Sequence, residues 1–197
     1  MTPTVLFVCD FQALIRTYVD TAWFDAAAFA AGDVLARARE LGPEKVKIIH
    51  VMAGGAVRKD HSQYSVRKDS GLAKFMETFP ATVDTPGIVD NVAPLPDEQI
   101  LARPRASIFH DTPLNAQLRA LGATKLIFCG VATSGVVLSS ARSAVDADYE
   151  VFVVGEACAD ISRSLHDELV KWWEGPWEGA KLMSVEEAKA ALEGVGA

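Results

Sequence analysis

The sequence predicts an α/β fold: three α/β/α layers on a mostly parallel, doubly wound sheet of about six strands. Continuous apolar runs rich in β-branched residues recur at 5–9, 46–51, 125–129 and 150–154, and such runs suit strands covered on both faces. Helical segments of ten or more residues lie between strands, which implies right-handed βαβ crossovers. The length of 197 residues, 50% of them hydrophobic and 23% charged, suits one domain with one core.

Taken in order, the first strand (5–9) ends at Cys9-Asp10-Phe11-Gln12. The Ala-rich stretch 25–41 reads as a helix stopped by Gly42-Pro43. Strand 46–51 leads into residues 54–96, which mix Gly54-Gly55, the polar run Arg58-Lys59-Asp60-His61-Ser62, a weakly helical piece at 72–79, and Pro80, Pro86, Pro94 and Pro96. This stretch reads as a long loop or lid inserted in a single domain spanning 1–197. A short extended piece, 99–103, ends at Arg103. Thr112-Pro113 reads as an N-cap followed by proline at the first helical position, with Leu114, Leu118 and Leu121 on one face. Residues 134–146, after the strand at 125–129, carry the small and apolar residues of a helix. The helix at 162–173 closes the series before Gly175-Pro176.

Composition excludes several classes of function. With 19 Lys and Arg against 26 Asp and Glu, the net charge is -7, which disfavours nucleic acid and acidic membrane surfaces. No apolar run reaches the roughly 18 residues of a membrane span, and residues 1–3 leave no room for a basic leader before the first strand. Three cysteines without a Cys-x-x-Cys pair fit neither a disulfide framework nor a structural zinc site. These features lead to the expectation of a cytoplasmic protein acting on a small molecule.

Ligands of open parallel sheets bind at the carboxyl ends of the strands. That rule selects Asp10 and Gln12, His50, Arg103, and the segment Gly130-Val131-Ala132-Thr133-Ser134-Gly135-Val136. A carboxylate, a cation and a glycine-rich helix entrance there suit proton transfer and the stabilisation of negative charge. Val136-Val137 stand where a P-loop needs Lys-Ser/Thr, so nucleotide binding is rejected. Ser134 lacks a nucleophile elbow and reads as a helix N-cap. Cys129 and Cys9 read as small buried hydrophobes, although Cys129 lies close enough to the site to test as a thiol. His50 and His110 are candidates to line the cleft.

The apolar strand ending in Asp10-Phe11-Gln12, the block Arg103-Pro104-Arg105-Ala106-Ser107-Ile108-Phe109 with Thr112 and Leu114, and Gly130 to Val137 followed by Ala141-Arg142, Ala144, Tyr149 and Glu156-Ala157-Cys158-Ala159-Asp160 together resemble the isochorismatase-like hydrolase superfamily. The resemblance is weakest at 54–96 and after Trp172. It implies a hydrolytic triad of aspartate, lysine and cysteine; Asp10 holds the first position, Arg103 (or, with one slip, Arg105) the second, and Val136 the third. It further implies an oxyanion hole from the Ala132 and Val136 amides, a cis bond at Val131-Ala132, and a homodimer or higher homo-oligomer. The Asp-x-His pair that binds metal in related nicotinamidases is absent, so neither metal nor cofactor is expected. Valine offers no nucleophile, and arginine does not readily exchange protons. Some superfamily members lack the cysteine, and isochorismatases of this kind rely on the aspartate to protonate a vinyl ether; the resemblance to them makes Asp10 the expected general acid/base and Arg103 its partner or the clamp of a substrate carboxylate. The open alternatives are a non-hydrolytic isomerase, lyase or cyclase in the same cleft, and a catalytically dead binding or oligomeric member.

Overall fold

The computed structural model describes residues 3–54, 87–175 and 179–194. Most of the 54–96 insertion, including the expected helical piece at 72–79, lies outside the described residues, as does Trp177. Among the described residues six strands form one parallel sheet: β1 (Thr4–Cys9), β2 (Val46–Ala53), β3 (Gln99–Arg103), β4 (Lys125–Val131), β5 (Glu150–Ala159) and β6 (Lys181–Met183), in the order β3-β2-β1-β4-β5-β6. The chain therefore builds outward from β1 in one direction, returns, and builds outward from β4 in the other. The crevice between the ends of β1 and β4 is the place where such sheets bind ligands.

Alternation along the strands supplies both cores. Leu6, Val8, Ile48, Ile127, Cys129, Phe152 and Val154 face one side, under α2 (Thr21–Leu41) and α6 (Val185–Leu192). Val5, Phe7, Cys9, Ile49, Val51, Leu126, Phe128, Val151 and Val153 face the other, under α3 (Leu114–Leu121), α4 (Leu138–Asp146) and α5 (Arg163–Glu174). Phe7 and Phe128 stack across β1 and β4 with centroids 4.8 Å apart. A short helix, α1 (Ala13–Arg16), follows β1 directly.

Local details differ from the sequence reading in four places. Helix α2 begins at Thr21, earlier than expected, because Asp20 caps it by accepting the Trp23 N–H at 2.9 Å. Pro113 is the N-cap of α3, and the Thr112 hydroxyl donates to the Ile108 carbonyl; Leu121, at the helix end before left-handed Gly122, is 40% exposed. The segment after β4 opens with a wide turn at Thr133–Val137 before α4 starts. Ser134 does not cap it with its side chain; its backbone N–H instead donates to Asp160 at 2.6 Å.

Candidate active site

The site begins with a backbone constraint. Gly130 lies so close to β1 that a Cβ there would stand 2.3 Å from the Cys9 carbonyl oxygen, and its φ is +148°. Only glycine allows β4 to run this near β1, and this places the β4 turn beside Asp10. Asp10 itself takes a φ of +57° and donates its N–H to Val51 O at 2.9 Å. The turn aims its side chain into the protein, where it is fully buried.

Arg103 ends β3, two strands from β1, a separation of about 9–10 Å. The small Ala53 sits opposite it on β2, and the arginine crosses that gap. Its Nε donates to Asp10 Oδ2 at 2.8 Å, Nη2 donates to the same oxygen, and Nη1 donates to Arg105 O at 2.7 Å. Arg105 turns away and pairs with Asp111 at 2.8 Å. Among the described residues nothing hydrogen-bonds the other Asp10 oxygen, Oδ1. Burial pushes the Asp10 carboxyl above its ordinary value, and the adjacent guanidinium opposes without reversing that push. Gln12 ties the strand ends together, accepting the Ala53 N–H at 2.8 Å through Oε1 and donating to Ala53 O at 3.4 Å.

The Val131–Ala132 peptide bond is cis. In the turn that follows, Gly135 and Val137 donate their N–H groups to Ala132 O at 3.0 and 3.3 Å, and Ser134 donates to Asp160. Those three amides already have acceptors within the protein. The Val136 side chain is itself buried in the second core. Thr133 is anchored from behind: its hydroxyl donates to Ala159 O at 3.2 Å and lies 2.8 Å from His166 Nδ1. Asp160, which also accepts the Ser162 N–H at 3.3 Å, is the holding group that sequence reasoning had not singled out. It stands at the end of the third matched block, where an aspartate after a strand and before Ser162 was the available signal.

The other candidates sit apart from the Asp10–Arg103 pair. His50 is buried with Nε2 2.7 Å from Glu98, which also accepts from Arg39 Nε and Nη2 at 2.8 Å each and from the Leu95 N–H at 2.9 Å. Burial holds His50 below its ordinary pKa, so it is neutral near pH 7. It braces the strand against the end of α2. His110 is exposed on the loop between β3 and α3. Cys129 is buried on the α2 side and donates its thiol proton to Phe7 O at 3.3 Å. Burial pushes its pKa far up, as it does for Cys9, and it pushes Cys158 to about 12. Among the described residues no three His, Cys, Asp or Glu side chains converge as a metal site would require.

Two expectations follow. Native protein treated with a thiol reagent should lose none of its three thiols, and all three should react once it is unfolded. Burial pushes the Glu98 carboxyl up, but the bonds from Arg39, the Leu95 N–H and His50 outweigh it and hold the group at about 2, against an ordinary 4.5. Its contribution to stability is therefore complete above about pH 4.5 and fades as the pH falls toward 2. Urea midpoints measured from pH 6 down to pH 2 should drop less steeply for Glu98→Gln than for the parent.

An isochorismatase domain model matches residues 4–187. A ureidoacrylate amidohydrolase, RutB, of Methylorubrum extorquens strain AM1 is 31% identical over 172 residues, covering 78% of this chain and 68% of that protein. The phenazine biosynthesis protein PhzD1 of Pseudomonas aeruginosa is 37% identical over 79 residues, 40% of this chain and 38% of its own length. In fold, a cysteine hydrolase from Pseudomonas syringae pv. phaseolicola superposes with a TM-score of 0.80 at 20% identity, covering 99% of this chain and 94% of that one. No helix among the described residues is long and apolar enough to cross a membrane. With a matching domain over most of its length and the crevice where that fold binds ligands, the chain belongs to the isochorismatase-like hydrolase superfamily.

Proposed function

We propose that this chain is a hydrolase that works without a cysteine nucleophile, with Asp10 as its general acid/base and a carboxylate-bearing vinyl ether as its substrate class. The observation that carries the reading is the asymmetry of the Asp10 carboxyl: Arg103 holds Oδ2 from two nitrogens, while Oδ1 is buried and unpartnered among the described residues. Burial raises the affinity of this carboxyl for a proton, which suits a group that takes up a proton and hands it on. That proton adds to the terminal vinyl carbon, water adds to the carbon bearing the ether oxygen, and the hemiketal collapses to a ketone and an alcohol. No nucleophile is consumed, which suits a site with Val136 in place of cysteine. The amides of Ala132 and Val136 would stabilise negative charge on the substrate. Arg103 makes one hydrogen bond within the protein from each of its three nitrogens, two of them to Asp10, so its first part is to fix Asp10.

The test is pyruvate release from isochorismate by the purified protein and by variants with Cys9, Cys129 or Cys158 changed to alanine. Turnover kept in the variants supports the reading, and turnover abolished in a variant that stays folded overturns the cysteine-free mechanism. Oxygen from labelled water should appear in the product; its absence would favour an isomerase or lyase. The burial of the Asp10–Arg103 pair also favours a second reading, in which the pair is a structural ion bridge in a binding protein. An Asp10→Asn variant with unchanged chemistry would establish that one. We further take the chain to act as a homo-oligomer in the cytoplasm, which light scattering on the purified protein checks for the first part.

A further inference from the structure

A cavity of about 1090 Å³ opens where β5, β6, α5 and the start of α2 meet, and it shares no residue with the Asp10–Arg103 pair or with the Thr133 turn. It is at the upper end of the size of small-molecule sites. Its apolar wall includes Val170, Leu182 and Met183. Three of its carboxylates are already committed to backbone N–H groups: Asp20 to Trp23 at 2.9 Å, Glu156 to Val185 at 2.7 Å and Glu187 to Ser184 at 2.7 Å. Its cations are not so committed. The Arg163 guanidinium carbon lies over the Trp23 ring, 3.8 Å from its centroid, and neither Arg163 nor Lys181 pairs with a carboxylate among the described residues. Stacking fixes a guanidinium in place before a ligand arrives, which lowers the ordering cost of binding. Exposed Glu174, also on the wall, disfavours a second negative charge on whatever binds.

We propose that this cavity is a second ligand site, taking an organic monoanion whose carboxylate meets Arg163 and Lys181 while its apolar body lies on Val170, Leu182 and Met183. The site has a route to the candidate active site. His166 lines the cavity, meets Trp23 edge-on with centroids 5.0 Å apart, and bonds Thr133 in the β4 turn through Nδ1. A bound anion therefore sits one side chain away from the turn that carries Ala132 and Val136.

The inference stands apart from the hydrolase reading, because its test reads no turnover. Calorimetry would titrate the full chain with 2-naphthoate and, as the neutral control, 2-naphthamide. The expected result is one saturable site for the acid, with the amide at least tenfold weaker. Arg163→Gln, an exposed position, should weaken the acid by a similar factor, and Asp10→Asn should leave it within twofold. Saturating 2-naphthoate should also shift the Thr133 and Ser134 amide resonances. Equal binding of acid and amide, no binding of either, or loss of binding in Asp10→Asn in place of Arg163→Gln would overturn the site. Unmoved Thr133 and Ser134 resonances would overturn its connection to the turn.

Discussion

Asp10→Asn should lower turnover by about 10²–10⁴-fold, the usual worth of a positioned proton donor, while the protein stays folded. Asparagine is among the few residues that accept a left-handed backbone readily, so the φ of +57° at this position is no obstacle. Its side-chain oxygen can still accept from Arg103. What disappears is the ionisable proton and the negative charge opposite a buried guanidinium. Removing one partner of such a pair costs about 3–5 kcal/mol, within the roughly 5–15 kcal/mol stability of an ordinary domain. Thermal unfolding run beside the assay separates the two effects. A variant that is folded at the assay temperature and still turns over at the parental rate would remove Asp10 from the chemistry.

Gly130→Ala is expected to be the more damaging change to the fold, although it adds a single methyl group. The new Cβ would meet the Cys9 carbonyl oxygen at 2.3 Å and the Cys9 Cβ at 2.5 Å, so β1 and β4 would have to part at the point where the site is assembled. Overpacking usually costs about 1–3 kcal/mol; here the clashing oxygen is backbone in a central strand, and a loss of at least about 3 kcal/mol is expected. Gly122→Ala supplies the comparison. That glycine also has a positive φ, +67°, but has nothing within 4 Å of the added atom, so only the left-handed penalty of about 1–2 kcal/mol applies. Denaturant midpoints of the two variants should differ accordingly, and equal losses would show that the close approach of the strands carries no weight.

The strands were legible because a doubly covered parallel sheet demands apolar residues on both faces, and the runs at 5–9, 46–51, 125–129 and 150–154 have them. Strand β6 escaped individual notice because three residues at an edge, Lys181–Met183, carry too little pattern. Its helix α6 starts with a capping box between Ser184 and Glu187, a signal that sequence reading can find but that went unused behind the Trp-rich segment. Asp10 and Arg103 were selected by the strand-end rule. Their mutual orientation was not legible, since it depends on a left-handed turn at Asp10 and on the small Ala53 between them. His50 was misleading for a related reason. The rule locates strand ends, but β2 runs on to Ala53, which leaves His50 in the middle of the strand facing Arg39 and Glu98. Asp160 was hidden because its role is to hold a backbone N–H across 26 residues of chain, and no spacing announces that.

The asymmetry at Asp10 carries a stereochemical consequence. A carboxyl with one oxygen fixed by a guanidinium has a single direction from which to deliver its proton. A planar alkene bound beside it would be protonated on one face alone. If Asp10 is the donor, a vinyl group bearing deuterium at one terminal position, hydrolysed in tritiated water, should give a methyl group of a single handedness, whereas protonation from bulk solvent would give a racemic one.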